Sequence, residues 1–352
     1  MICRRRYTRK TMLKPTGLER AAVRAAFNEQ RSERAHADFL FRGVERRMME
    51  RLDLIRLEPV QRVLDVGCGS GHSMATLAVR YPQAQLIGAD LADRSLAESA
   101  GKPARQKGLQ EGARRWLSRM GVASARELPA TRPLWIAADA HALAIGSNTI
   151  DMVWSNVAAH WFDDPLAAVA EWHRVIRPEG LLMFSAFGVD TLKEVRPSSP
   201  GAVSERAGQA GQASSAAAPA APAVIKASEA VGAPTTGKGL SWPTYQDMHD
   251  WGDALSAAGF ADPVMDVEHL TLTYEDETKY WKDVRSLSMM RDLGDDTEVH
   301  EPGGRGMHAP GPLSLSIEVI YGHAWCPRVK RRSDGLATVQ FHASGASYNR
   351  ER

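Results

Sequence analysis

Residues 63–71 read Val63-Leu64-Asp65-Val66-Gly67-Cys68-Gly69-Ser70-Gly71, an apolar run that ends in three glycines spaced two residues apart. Met74, Leu77 and Ala78 then fall on one face of a helical pattern. The stretch therefore predicts a buried strand, a tight turn and a helix N-terminus. Glycine suits the turn because the backbone must adopt a positive φ and let a ligand approach closely. The free N–H groups at the start of the helix favour polar or anionic ligand groups.

The glycine spacing separates two kinds of nucleotide-like ligand. A dinucleotide site carries G-x-G-x-x-G, whereas this loop is G-x-G-x-G with an acid two residues before the first glycine. The pattern resembles motif I of class I S-adenosylmethionine (SAM) methyltransferases. In that family the strand-end acid, here Asp65, orients the amino-acid part of the cofactor, and the glycines, here Gly67, Gly69 and Gly71, pass beneath it. For the loop alone, a turn that binds no ligand remains the alternative.

The composition is that of an ordinary globular protein. The chain has 352 residues, 43% of them hydrophobic and 24% charged, which is enough for one large domain or two small ones. The net charge of +2 gives no global argument for a nucleic-acid or membrane partner, and no run of 18 apolar residues predicts a membrane span. Cys3, Cys68 and Cys326 have neither pairing nor metal-like spacing, which predicts no metal site and fits the reducing cytoplasm.

Alternating strands and helices indicate an α/β fold with a parallel, doubly wound sheet. Residues 18–56 are predicted as helices that either cover a cofactor pocket or pack on the flank of the sheet. A turn is predicted at Arg177-Pro178-Glu179-Gly180. Strands are predicted at 62–66, 85–89, 134–138, 150–155, 181–187, 264–274 and 313–325, and further helices at 70–81, 166–175, 245–258 and 278–293.

Composition also predicts the domain boundaries. Residues 197–240 are dominated by Ala, Gly, Ser and Pro, cannot bury enough apolar surface to become ordered, and are predicted as a disordered insertion. One domain is expected to comprise 18–196 and 241–327, with a disordered basic leader at 1–17 and a loose tail at 328–352. Residues 92–133 are too long for one connection and are interpreted as an insertion beyond the minimal fold.

The end of the second predicted strand carries a candidate ribose-binding acid. Asp90 lies 19 residues after Gly71 and is followed by Leu91. One carboxylate can accept hydrogen bonds from both ribose hydroxyls at this position. A helix N-cap is the alternative role for Asp90.

The next two strands end in further candidate cofactor residues. Asp139 and Ala140 follow the third strand, where an acid can accept from the adenine amino group. Ser155 and Asn156 end the fourth strand, and polar residues at the carboxyl end of a central strand lie over the crevice where strand order reverses.

Several segments beyond the loop carry a more specific resemblance, which covers most of residues 36–327. Together they resemble the malonyl-acyl-carrier-protein O-methyltransferases of biotin synthesis, especially the proteobacterial form. The resemblance implies a Rossmann-like, mostly parallel seven-stranded sheet with an antiparallel last strand and an N-terminal helical lid. The matching segments are 38–40, 47–53, 65–71, Trp154-Ser155-Asn156-Val157-Ala158-Ala159-His160-Trp161, Phe187-Gly188-Val189-Asp190-Thr191-Leu192-Lys193-Glu194-Val195-Arg196, 247–250, 290–294 and Glu318-Val319-Ile320-Tyr321-Gly322-His323-Ala324-Trp325.

The resemblance implies that SAM donates a methyl group to the free carboxylate of a malonyl thioester, on acyl-carrier protein or on CoA. The carboxylate is already ionised, so orientation and electrostatics suffice for catalysis. Arg196 and Arg291 are the candidate partners of the carboxylate, because arginine binds carboxylates bidentately. His160 and Trp161 are candidate walls of the acceptor pocket. Surface ion pairs for the arginines and a packed aromatic pair for the other two are the alternatives.

An acidic carrier protein would favour a basic surface beside the pocket, which the Arg-rich segment 42–51 could supply. A solvated helix face is the alternative role for this segment. Other functions remain open at this point. Relatives that assemble respiratory complex I share a similar Phe-Gly-x-Asp-Thr-Leu segment, and one is linked to arginine hydroxylation. A methyltransferase for another small carboxylate, a non-catalytic binding module and a dinucleotide oxidoreductase are the remaining alternatives.

Overall fold

The computed structural model describes residues 13, 15–29, 35–57, 59–101, 132–195, 243–288 and 313–328. Within those ranges, no helix is both long enough and apolar enough to cross a bilayer. The helices are α1 (Arg20–Glu29), α2 (Asp38–Leu52), α3 (His72–Arg80), α4 (Asp93–Gly101), α5 (Pro165–Val175), α6 (Met248–Ala258) and α7 (Glu277–Leu287), with 3₁₀ turns at Ala35–Ala37 and Ala159–Trp161. The strands are β1 (Arg62–Val66), β2 (Gln85–Asp90), β3 (Leu134–Ala137), β4 (Ile150–Ser155), β5 (Ile176–Phe187), β6 (Ala261–Tyr274) and β7 (Leu313–Trp325).

The strands form one seven-stranded sheet in the order β3-β2-β1-β4-β5-β7-β6. Neighbours from β3 to β5 pair in parallel, and β7 runs antiparallel to both β5 and β6. The predicted α/β, Rossmann-like sheet with an antiparallel last strand is therefore confirmed. Strand order reverses between β1 and β4, and the carboxyl ends of these strands flank the crevice where such sheets bind ligands.

Helices cover both faces of the sheet, so the protein has two apolar layers. One layer packs α2, α3 and α7 on the sheet, and the other packs α5 and α6 on its opposite face. All six residues of β4 are buried because both faces of this central strand are covered. Aspartates cap three of the helices: the Asp164, Asp247 and Asp276 side chains accept from backbone N–H groups in the first turns of α5, α6 and α7.

The turn predicted at residues 177–180 is wrong, because this segment is an irregular start of β5. Ile176 pairs with Ile150 and Leu181 pairs with Met152, so the extra residues of β5 form a bulge with Glu179 at φ +64°. Glu179 N donates to Cys326 O at 2.9 Å, and Cys326 N donates to Gly180 O at 2.8 Å. Cys326, which follows β7, thus forms the backbone hydrogen bonds of the bulge. The local Pro-Glu-Gly pattern could not predict a partner so distant in sequence.

Several predicted element ends also shift. Helix α6 begins at Met248 rather than Tyr245, because Asp247 caps it. Helix α7 ends at Leu287, since Ser288 is extended, whereas the prediction continued to 293. Thr16, which falls in the predicted leader, is buried, and its N–H donates to Asp163 O at 3.0 Å. The insertion at 197–240 and most of the leader, the tail and the 92–133 connection lie outside the described residues, so the domain boundaries stay predictions.

Candidate functional site

The glycine loop adopts backbone conformations that other residues rarely take. Gly67, Gly69 and Gly71 have φ values of +72°, +50° and +75°. A Cβ on Gly67 would lie 2.4 Å from the Cβ of Ala158, and a Cβ on Gly71 would lie 2.4 Å from the ring of Trp135. Gly69 faces open space. Two of the glycines therefore permit close backbone packing, and the third leaves room beside the loop.

Asp90 fastens this loop to the end of β2. Its Oδ2 accepts from Gly69 N at 2.7 Å and its Oδ1 accepts from Ala92 N at 2.7 Å. Helix α4 begins only at Asp93, so Asp90 is not its N-cap. The carboxylate thus lies at the carboxyl edge of the sheet, beside the loop, as the sequence predicts for a ribose-binding acid.

A cavity opens over the carboxyl ends of β1, β2 and β3 and beside the segment that follows β4. Four of the predicted cofactor residues outside the loop lie on it: Asp90, Leu91, Asp139 and Ala140. Gly67 and Gly69 form its floor, and α1 closes one side with Arg20, Val23, Arg24 and Phe27.

Helix α1 is tied down at both ends by ion pairs and hydrogen bonds. Arg20 pairs with Asp139 and, at 2.8 Å, with Asp163. Arg24 pairs with Asp93 at 3.1 Å, and Asn28 Nδ2 donates to the same carboxylate at 2.9 Å. The N-terminal helical lid is therefore present, and it covers the cavity rather than only packing on the flank of the sheet.

Asp139 belongs to a charged network that the sequence reasoning missed. Its Oδ1 accepts from His141 N at 3.0 Å and lies 2.5 Å from His141 Nδ1, while His141 Nε2 lies 3.1 Å from Asp163 Oδ1. Burial raises the pKa of Asp139, but the hydrogen bonds from His141 and the charge of Arg20 outweigh it and leave that pKa lowered. The carboxylate is thus held ionised at the cavity wall. The segment Asp139-Ala140-His141 was the available signal, although its partner Arg20 is distant in sequence.

Comparisons with known proteins agree with this geometry. A family model described as "Methyltransferase domain" matches residues 64–184, which run from the glycine loop to β5. The chain is 36% identical to the malonyl-[acyl-carrier protein] O-methyltransferase of Laribacter hongkongensis, over 92% of this chain and 96% of the relative. It is 33% identical to the protein of that name from Gallionella capsiferriformans, over 92% and 96%, and 34% identical to that of Methylovorus sp., over 94% and 97%.

The chain belongs to the malonyl-[acyl-carrier protein] O-methyltransferase family. It is a SAM-dependent methyltransferase, and the residues present fit this cofactor. The loop backbone forms a cradle beside Gly69 that side chains would fill, and Asp90 holds a carboxylate over it. The dinucleotide oxidoreductase alternative is therefore excluded.

Ser155 and Asn156 hold the crevice of this methyltransferase together from outside the cavity. Ser155 Oγ donates to Val66 O at 2.9 Å and so joins β4 to β1. Asn156 Nδ2 donates to Phe41 O at 3.1 Å, and its Oδ1 accepts from Ser185 Oγ at 3.0 Å. Both side chains contact protein groups in this structure, and their direct contact with SAM stays a prediction.

His160 and Trp161 lie in different surroundings. His160 is buried and stacks on Phe187 at 4.7 Å and on Tyr245 at 5.9 Å, and its Nδ1 accepts from Phe187 N at 3.3 Å. Trp161 lines the cofactor cavity and meets Phe27 of the lid edge to face at 5.7 Å. This geometry favours the packing alternative for His160. Trp161 lies on the cavity beside the glycine loop, and its role as a wall of the acceptor pocket stays a prediction. Arg196 and Arg291 lie outside the described residues, so their carboxylate-binding role stays a prediction.

Two arginines on the Arg-rich face of α2 are paired with acids. Arg47 pairs with Glu268 at 2.8 Å, and Arg51 pairs with Asp266 while lying 3.9 Å above the ring of Tyr321. These contacts fasten α2 to β6 and β7. They leave less free positive charge for a docking surface than the sequence suggested.

Two buried acids complete the site, and the sequence reasoning identified only one of them. Asp65, at 2% exposure, has a pKa raised well above its usual value by burial and then by the charges of Glu45 and Asp90. Glu45 on α2 is 6% exposed, and burial likewise raises its pKa. The signal for Glu45 was present, because it occupies a position of the apolar stripe that also contains Val44 and Met48.

Proposed function

We propose that this methyltransferase transfers the methyl group of SAM to the free carboxylate of malonyl-acyl-carrier protein in the cytoplasm. The observation that carries the proposal is the match to relatives of this name at 33–36% identity over at least 92% of the chain. These relatives favour a carboxylate acceptor over the alternative that acts on protein arginine.

The chemistry of the described residues supports an acceptor that is already anionic. His141 is held between two carboxylates and His160 is buried among aromatic rings, so neither imidazole is placed as a general base. A malonyl carboxylate needs none, because it is ionised at neutral pH. One carboxylate oxygen forms the new C–O bond as the methyl–sulfur bond breaks, and no proton is released.

Catalysis then rests on orientation and on exclusion of water. SAM supplies an activated methyl group when bound. The lid residues Arg20, Val23 and Phe27 close one side of the cavity, and the glycine loop and Asp90 on its other side would hold the cofactor. Positioning of two reactants in this way can supply about 7–11 kcal/mol of a barrier.

The direct test is incubation of the full chain with methyl-labelled SAM and malonyl-carrier protein. We expect base-labile label on malonyl-carrier protein and none on acetyl-carrier protein, which lacks the free carboxylate. Malonyl-CoA and a protein rich in exposed arginine test the alternative acceptors. Rescue of a biotin-requiring strain that lacks this methyltransferase is the companion measurement. Absence of a labelled ester from a protein that binds SAM would contradict the proposal.

A further inference from the structure

Two buried carboxyl groups, Asp65 on β1 just before the glycine loop and Glu45 on α2, each keep one oxygen without a hydrogen bond. Among the described residues, neither Asp65 Oδ2 nor Glu45 Oε1 has a hydrogen-bond partner. A buried carboxylate without a partner is costly. Two such oxygens at one site indicate that something absent from the protein chain completes it.

The fold brings both carboxyl groups close to the crevice between β1 and β4, where the strand order reverses. Asp65 lies on β1 and pairs in register with Trp154 of β4, so it borders the gap between the two central strands. The hydrogen bond from Asn156 to Phe41 O holds the first turn of α2 against the end of β4. Glu45 lies one helical turn after Phe41, on the buried side of α2.

The electrostatic surroundings of this pair call for a positive ligand. Asp90 adds a third carboxylate whose charge acts on Asp65, and Arg42 is the one cation whose charge acts on Glu45 among the described residues. Arg42 is largely exposed and lies 4.0 Å from Asp38, so it compensates the buried pair poorly. A hydrogen bond with Thr76 of α3 engages the Glu45 carboxyl from the other side.

The cofactor carries a suitable cation at a suitable place. Asp90, the predicted ribose-binding acid, lies beside Gly69, and Val66, which follows Asp65 directly, lines the cavity. The amino-acid end of SAM extends beyond the ribose and ends in an α-ammonium group and a carboxylate. We propose that Glu45, supplied by α2, joins Asp65 in binding the α-ammonium group of the cofactor, a role that the motif I resemblance gives to Asp65 alone. This inference rests on the cofactor and is independent of the proposed acceptor.

The test compares two ligands that differ in the amino-acid part, using the full chain and the substitution Glu45→Gln. S-adenosylhomocysteine carries the α-ammonium group, and 5′-methylthioadenosine lacks the whole amino-acid part. In calorimetric titration, we expect Glu45→Gln to lower the affinity for S-adenosylhomocysteine about 10- to 100-fold, because a charged hydrogen bond is lost. Binding of 5′-methylthioadenosine should not change. Glu50→Gln, on the exposed side of the same helix, is the matched control and should change neither affinity.

Three outcomes would overturn the inference. S-adenosylhomocysteine could bind the folded variant as tightly as the wild type, which would mean that the acids share a proton instead. The affinities for both ligands could fall equally, which would mean that Glu45 acts only through the packing of α2. The affinity for SAM alone could fall, which would mean that the two acids interact with the sulfonium group and not with the α-ammonium group. If Glu45→Gln fails to fold, Glu45→Asp keeps the charge on a shorter side chain and should show the same selective loss.

Discussion

At the scale of single residues, the loop glycines have unequal roles. All three have positive φ, but only Gly67 and Gly71 are also pressed against neighbouring side chains. Sequence spacing marks them as equivalent, whereas contacts across the crevice separate them. The positive φ and the steric contact therefore contribute separately to the free energy of unfolding, and alanine substitutions at different glycines can distinguish them.

We expect Gly67→Ala to lower the free energy of unfolding by about 2–4 kcal/mol, since it combines positive φ with a Cβ placed 2.4 Å from the Cβ of Ala158. Gly69→Ala should cost about 1–2 kcal/mol, because only the backbone term applies. Urea denaturation of the cofactor-free protein measures both. Equal losses for the two variants would contradict the steric argument.

The ribose role of Asp90 is tested by a ligand without an amino-acid part. Asp90→Ala removes the carboxylate that holds Gly69 N, and we expect it to weaken 5′-methylthioadenosine and SAM alike by at least about 10-fold. Unchanged affinity for both in calorimetric titration would refute this role. Because Glu45→Gln should spare 5′-methylthioadenosine, the two variants distinguish the two ends of the cofactor.

At the scale of elements, the N-terminal helices form the working part of the site. Helix α1 covers the cavity through Arg20, and α2 supplies Glu45, whose charge acts on Asp65. From their apolar stripes, both helices were predicted either to cover a cofactor pocket or to pack on the flank of the sheet. Long-range ion pairs, such as Arg20 with Asp163, decide that α1 is a lid.

Loosening α1 should speed the release of cofactor. Arg20→Ala removes the contacts to Asp139 and Asp163 that hold the helix over the cavity, and we expect the SAM dissociation rate to rise several-fold. Stopped-flow displacement measures this rate. Arg46→Ala, at an exposed position of α2, is the control. An unaltered dissociation rate in Arg20→Ala would show that α1 does not gate release.

The buried acids predict a pH dependence of stability with a defined sign. The pKa of Glu45 is higher in the folded than in the unfolded protein, because burial disfavours its charge. The folded state then binds more protons, so this contribution to stability is lost as pH rises through the raised pKa. Without cofactor, Glu45→Gln should therefore gain stability over the wild type as the pH rises above about 4, where glutamate begins to ionise in the unfolded chain. A difference in unfolding free energy that stays constant with pH would contradict this.

At the scale of the whole molecule, periodicity and spacing predict the sheet but not the contacts between segments that are far apart in sequence. The strand–glycine–helix unit and the alternating elements predict a parallel, doubly wound sheet, because local pattern encodes strands and helices. The antiparallel last strand was implied by the family resemblance. The bulge in β5 depends on Cys326, and the Asp139 network depends on Arg20, and both partners are remote in sequence. Glu45 was not identified from the sequence, because a charged residue on a helix is usually exposed.

Composition predicts that residues 197–240 do not contribute to the domain. Replacement of residues 199–239 with a flexible Gly/Ser linker should leave the melting temperature and the SAM affinity unchanged. Differential scanning calorimetry and titration with SAM measure these. A large drop in either would show that the segment belongs to the folded domain.

The central claim is methylation of a malonyl carboxylate, and intact-mass spectrometry of the carrier protein after one incubation tests it most directly. We predict the gain of one methyl group on malonyl-carrier protein with SAM present, located on the terminal carboxylate by fragmentation and removed by mild base. Acetyl-carrier protein should keep its mass. An unmodified malonyl-carrier protein, or a methyl group found on the carrier polypeptide, would contradict the account.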